Sequence, residues 1–350
     1  MATKTSLVGQ TVHLLRPRPY PARLSLVMPM YNEEQMVDLL RAEVSRFLGE
    51  IRGEAEVILV NDGSRDGTLA KLVEWASQDR RIKVVHLSRN FGHQLAATAG
   101  LDCASGDAVV LIDADLQDPL AVIHPMIDYY CEGYDVVYGQ REWREGETRP
   151  KRLTSWVFYR IMRSLVYSDL PVDVGDFRLI SRPCLEALKQ LRETHRFLRG
   201  MVAWLGFPQI AVPYRRKRRM AGDSKYPIRK MLRFAWTGAT SFSSLPLRFS
   251  MYMGVCVGLF AMEEFVRAVV AHVRGHTVAG WTSLMVVTSI IGSALLMSIG
   301  LMGEYLGRIY EQSKTRPLYL IARTFNLGEE GERGGPAMTP SGNSTHRVSP

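Results

Sequence analysis

From Gly275 to Gly303 the chain runs 29 residues without an aspartate, glutamate, lysine or arginine. At 1.5 Å per helical residue, about 20 such residues cross a hydrocarbon core of roughly 30 Å. A run of this length predicts a transmembrane helix over 280–303 rather than the buried helix of a soluble core. A second apolar stretch, 245–273, precedes it but carries Glu263, Glu264 and Arg267. If a helix starts at Pro246, where proline is tolerated, Glu263 falls roughly 26 Å along, near the far interface. Arg267 follows Glu263 by four residues and Glu264 by three, so it can pair with either. The two stretches together predict a transmembrane hairpin, that is, a multi-pass chain. Arg229, Lys230, Arg233 and Arg248 precede the pair and Arg308, Lys314 and Arg316 follow it, whereas the connecting loop offers little beyond Arg274. The positive-inside rule then puts the large N-terminal part and the C-terminus on the cytoplasmic side.

The remaining sequence is that of a folded domain. Its 350 residues carry 44 Lys and Arg against 35 Asp and Glu, a net charge of +9, with 46% hydrophobic residues. That excludes a wholly disordered chain or a collagen. Cys103, Cys131, Cys184 and Cys256 are scattered and form no CxxC, which argues against a zinc site or disulfide framework. Residues 1–22 read as a flexible basic arm. Short apolar runs at Leu24–Met28, Glu56–Val60, Ile82–Leu87, Ala108–Ile112 and Asp135–Tyr138 then alternate with helical stretches near Glu33–Leu48, Gly67–Ala76 and His93–Ala104. This alternation predicts an α/β fold with a mostly parallel, Rossmann-like sheet over 23–226. An amphipathic juxtamembrane helix is expected at 227–244, a cytoplasmic juxtamembrane segment at 304–327 and a disordered tail at 328–350.

Carboxylates follow three successive strands. Leu24–Met28 runs into Pro29-Met30-Tyr31-Asn32-Glu33-Glu34, Glu56–Val60 into Asn61-Asp62-Gly63-Ser64-Arg65-Asp66-Gly67-Thr68, and Ala108–Ile112 into Asp113-Ala114-Asp115-Leu116-Gln117-Asp118. Open α/β sheets bind ligands beyond the carboxyl ends of their strands, so these acids are expected in a crevice. Asp113 and Asp115, two residues apart, suit a hard divalent cation that also holds nucleotide phosphates. A lone DxD is an ordinary acidic turn as often as a site; acids at three strand ends favour a site. No GxGxxG follows the first strand and no GxxxxGK[ST] occurs, which argues against a dinucleotide fold or a P-loop.

PMYNEE, VNDGSRDGT and DADLQDP resemble the family 2 glycosyltransferases of the polyprenyl-phosphate type, which include dolichol-phosphate mannose synthases and bactoprenol glucosyltransferases. The likeness continues through DVGDFRL at 173–179, RFLRG at 196–200, RMAGDSKY at 219–226, SFSSLPLR at 241–248 and GEYLGRIY at 303–310. It implies a GT-A catalytic domain that binds a nucleotide-sugar with Mg²⁺ or Mn²⁺ and inverts the anomeric centre. By position, Pro29, Tyr31 and Glu33 line the base and ribose pocket, with Asp62 on the base. Asp113 and Ala114 contact the nucleotide, and Asp113, Asp115 and Gln117 hold the metal. Arg219 and Lys225 neutralise the donor diphosphate, while Arg141, Arg152 and Ser155 hold the lipid phosphate. Asp176 positions the acceptor or takes a residual proton, unless it simply anchors Arg178. The resemblance also implies a bacterial-type inner membrane, a polyprenyl (undecaprenyl) phosphate acceptor, a hexose donor with UDP-glucose favoured over a GDP-sugar, and a homo-oligomer such as a tetramer. Asp223 stands where the family commonly has glutamate.

A membrane acceptor also accounts for Arg152–Tyr167 and Ile228–Phe242, which mix basic and aromatic residues as interfacial helices do. Packing on the domain core explains either segment equally well in isolation. The run Arg215-Arg216-Lys217-Arg218-Arg219 fits phosphate-bearing lipid and donor better than nucleic acid, for which no motif is present. Two alternatives stay open: a polysaccharide-extending transferase, against which the missing QxxRW motif counts, and a catalytically silent membrane scaffold of the same fold.

Overall fold

The computed structural model describes residues 5–8, 11–141, 174–194, 196–215 and 281–327, with scattered positions between 252 and 274. Its centre is an eight-stranded mixed sheet. Four strands form the parallel block: β3 (Arg23–Met30), β4 (Glu54–Asn61), β5 (Ile82–Leu87) and β6 (Ala108–Leu111). These are the first four runs predicted from sequence, and they are buried on both faces as continuous apolar runs must be. The crossovers are α1 (Val37–Glu50), α2 (Thr68–Gln78) and α3 (His93–Cys103). Leu24, Leu26 and Met28 of β3 pack with Leu40 and Val44 of α1 and with Leu72 and Trp75 of α2. Val27 and Val60 meet Ala96, Ala97 and Ala99 of α3 on the opposite face. The approach of α3 is close because its contact face is small. A Cβ on Gly100 would lie 2.3 Å from Val27 Cγ1 and 2.9 Å from Val60 Cγ2.

The other strands were less legible. After α4 (Ile123–Glu132) come β7 (Val136–Arg141), β8 (Val174–Ser181), helices α5 (Arg182–Gln190) and α6 (Leu198–Trp204), and β9 (Gln209–Tyr214). With a C-terminal strand β10 (Ile321–Phe325) at one edge, the strand order is β10-β5-β4-β3-β6-β8-β7-β9. Strand β8 enters antiparallel between β6 and β7. It carries Asp176 and Arg178, so it lacks the apolar signature of its neighbours. Its register pairs Leu111 with Arg178, and continuing that register sets Asp176 across from Asp113.

Both ends of the chain depart from expectation. The arm predicted as loose contains a hairpin of β1 (Thr5–Val8) and β2 (Thr11–Leu14). Its distal part is docked: Leu15 is buried, and Arg18 bonds Asp135 at 3.0 Å while lying 4.5 Å over the Tyr130 ring. Helix α7 (Trp281–Ser313) extends ten residues past the predicted span. The chain then returns to the domain as β10 (Ile321–Phe325), antiparallel to β5 at the sheet edge. Those residues belong to the central sheet, not to a segment outside it. Ile290–Ser313 is long and apolar enough to cross a membrane, with a mean hydropathy of 1.5, and is the one such helix among the described residues. The expected multi-pass hairpin is therefore not supported, since most of 245–273 lies outside the described residues. The four cysteines are free.

Candidate active site

A cleft of about 570 Å³ opens where β3 and β6 lie side by side and the chain has wound to opposite sides of the sheet. Pro29, Met30, Tyr31 and Glu33 enter it from the end of β3, Asp62 from β4, and Asp113, Ala114 and Asp115 from β6. Asn90, Gly92, His93 and Ala96 come from the β5–α3 connection and Asp176 from β8. The sequence-predicted cluster is thus one surface. Two backbone outliers frame it: Asn32 at φ 53° and Leu116 at φ 54°. A left-handed leucine is costly, and here it belongs to a turn in which the Gln117 N–H donates to Asp115 Oδ1 at 3.1 Å.

Many of the polar groups in the motifs are used by the loops themselves. The amides of Asn32, Glu33 and Glu34 donate to Ser64 Oγ, Thr68 Oγ1 and Asp66 Oδ2, while those of Arg65 and Gly67 donate back to Asn32 Oδ1 and Glu34 Oε2. Asp62 accepts from Phe91 N at 2.7 Å and Gly92 N at 2.9 Å, which shapes the β5–α3 connection. Burial pushes its pKa up, against those two hydrogen bonds. Gly63, at φ 62°, sits under the same connection, and a Cβ there would lie 2.4 Å from the Arg89 carbonyl carbon.

At the cleft floor Asp176 is buried and fully engaged. Arg199 Nε donates to Oδ1 at 2.7 Å; His93 Nε2 and Gln94 Nε2 reach Oδ2 at 3.1 and 3.2 Å. Burial alone would raise its pKa, but the His93 hydrogen bond and the Arg199 and Arg178 charges outweigh it and hold the carboxyl far below the usual range. Such a group is a poor proton acceptor. Arg178 bonds the backbone carbonyls of Asp176 and Gly175, and its charge adds to the field on the Asp176 carboxylate. Asp113 Oδ1 stands 3.5 Å from His93 Nε2, and burial raises the Asp113 pKa despite that neighbour. For His93 burial opposes the charged form, but the Asp176 hydrogen bond and the Asp113 and Asp176 charges outweigh it and raise the pKa.

The donor set suits Mg²⁺ or Mn²⁺. Asp113 and Asp115 offer hard oxygens to the cleft, and the burial of Asp113 leaves its negative charge poorly solvated. Among the described residues no group of three or more His, Cys, Asp or Glu could by itself hold a metal. Two carboxylates with substrate phosphates completing the shell is how such ions are commonly bound. Gln117 is buried and outside the cleft lining. Arg141 is likewise outside it, in a network with Tyr214 Oη at 3.3 Å and Asp118 at 3.8 Å. Arg152, Ser155, Arg219 and Lys225 lie outside the described residues. His93, Gln94 and Arg199 were not identified as site residues from sequence; a single His at a helix start or an Arg in a short helix gives no such signal.

Known proteins are similar to this chain in sequence. Residues 25–189 match the model of glycosyl transferase family 2. An uncharacterized glycosyltransferase of Bacillus subtilis is 41% identical over 304 residues, covering 87% of this chain and 94% of that one. A bactoprenol glucosyl transferase of Shigella phage SfV is 39% identical over 300 residues, covering 85% and 98%. A prophage bactoprenol glucosyl transferase homolog of Escherichia coli K12 is 37% identical over 302 residues, covering 86% and 99%. With relatives this similar over nearly their whole length, the chain belongs to glycosyltransferase family 2.

Proposed function

We propose that the protein transfers glucose, with inversion, from UDP-glucose to a polyprenyl phosphate at the cytoplasmic face of the membrane in which α7 is anchored. The observation that carries this is the identity of 39% with a bactoprenol glucosyl transferase and of 37% with a homolog of one, extending over 85–86% of this chain. Oxygen-rich cleft walls and a membrane-length helix on one chain support the same reading.

In this reading Tyr31, Pro29 and Glu33 border the base and ribose, and Asp113 and Asp115 hold the divalent cation. A bound Mg²⁺ or Mn²⁺ supplies counter-charge to the diphosphate leaving group. Arg219 and Lys225 add further positive charge there, and Arg141, Arg152 and Ser155 are assigned to the lipid phosphate. A phosphate monoester has a second pKa near ~6, so the nucleophile is largely ionised at neutral pH and needs no strong base. Asp176 is accordingly assigned an orienting role: its anionic form holds His93, Gln94 and Arg199 in place. Rate enhancement then rests on alignment and preorganised charge.

The test is to incubate membranes containing the protein with labelled UDP-glucose, UDP-galactose or GDP-mannose and extract the lipids. Label from UDP-glucose in an acid-labile lipid fraction is expected. Label found only in polymer or only in water would overturn the proposal.

A further inference from the structure

One ring nitrogen faces two carboxylates at the cleft floor. His93 Nε2 lies 3.1 Å from Asp176 Oδ2 and 3.5 Å from Asp113 Oδ1. Ionised carboxylate oxygens only accept, so Nε2 carries a hydrogen. His93 is the first residue of α3, whose axial position is fixed by the close contact at Gly100. The next residue works in both directions: Gln94 Nε2 donates to Asp176 at 3.2 Å and its Oε1 accepts the Leu198 N–H at 3.0 Å, at the start of the helix that carries Arg199. The floor therefore joins β6, β8, α3 and α6 through one anionic centre, with His93 as the link to the carboxylate pair.

We infer that His93 is a positioning residue, which through Nε2 holds Asp113 and Asp176 at a fixed separation so that the cation side and the acceptor side of the cleft stay aligned. It contributes little to holding the nucleotide. This rests on reading the cleft as the donor site, and the experiment keeps the two apart.

The full-length protein in detergent is compared as wild type, His93→Ala and His93→Gln, because a glutamine amide can place a nitrogen near the position of Nε2. Three quantities are read: kcat and KM with UDP-glucose and undecaprenyl phosphate, UDP release without acceptor, and calorimetric affinity for UDP with Mn²⁺. His93→Ala is expected to lower kcat on the order of 100-fold, the cost of a small misplacement. KM for UDP-glucose and the Mn²⁺–UDP affinity should change by less than about threefold, and His93→Gln should recover to within about tenfold of wild-type kcat. Wild-type kcat in His93→Ala, a parallel loss of Mn²⁺–UDP affinity, or no recovery in His93→Gln would overturn the inference. If His93→Ala does not fold, His93→Gln alone decides on the same tenfold criterion. A wild-type protein that releases UDP into water but charges no lipid defeats the proposed acceptor; the His93 inference is then decided on UDP release. A wild type that does neither defeats both.

Discussion

Leu116 adopts a backbone conformation that leucine avoids, and it does so beside Asp115. Holding that turn makes sense if the Asp115 carboxylate must face the cleft in one orientation. Asp115→Ala should therefore reduce metal-dependent transfer by 100-fold or more, on the order of what one transition-state charge contact contributes. Its thermal unfolding should stay close to wild type, and activity near wild type in excess EDTA would refute the metal role. Gly63 makes the opposite point, since its role is architectural. A side chain there meets both a positive φ and the Arg89 backbone, so Gly63→Ala should destabilise by about 1–3 kcal/mol in denaturant melts. The acids of the strand-end loops were legible because polar residues interrupt apolar runs at the same point three times. Their division of labour was not. Glu34, Asp62 and Asp66 cap neighbouring amides, and only spatial pairing of two loops separates them from Asp113 and Asp115.

Among elements, the parallel block was readable because strands buried on both faces leave unbroken apolar runs. Strand β8 was not, because it buries Asp176, whose partners His93 and Arg199 are distant in sequence, and Arg178, which bonds the nearby carbonyls of Asp176 and Gly175. Glu56 on β4 is a similar case at the opposite end of the sheet. Burial would raise its pKa, but Lys83, Ser25 and the Ser105 amide outweigh it and lower the value. A depressed folded pKa means the stabilisation is present above the ordinary glutamate value of ~4.3 and is lost as pH falls through the folded value. Denaturant melts of wild type and Glu56→Gln should therefore converge as pH drops from about 5 to 3. A gap that stays constant over that range would contradict the assignment. Strand β10 was invisible for a different reason: its five residues are mostly exposed and follow the long apolar helix α7. Asn326, just after it, donates to Ala76 O at 2.7 Å and Ile82 O at 2.9 Å. Asn326→Ala should cost about 1–2 kcal/mol in unfolding without altering KM for donor.

At the scale of the whole molecule, the long apolar helix α7 and the catalytic sheet are coupled at several points. Gln312, near the end of α7, bonds Thr194 N at 2.8 Å and Arg192 O at 3.2 Å, and Tyr319 Oη bonds Asp102 at 2.7 Å before β10 closes the sheet edge. The cleft is thereby tied to a helix of 33 residues, about 50 Å long, which exceeds the hydrocarbon thickness. The long apolar helix and the α/β sheet were each legible in the sequence; the strand that joins them was not. The measurement that tests the central claim most directly is a structure of the full-length protein with UDP and Mn²⁺. The expected result is the nucleotide in the cleft beside Tyr31, with the cation bound between the diphosphate and the Asp113–Asp115 pair. Nucleotide bound elsewhere, or a cation touching neither carboxylate, would contradict it.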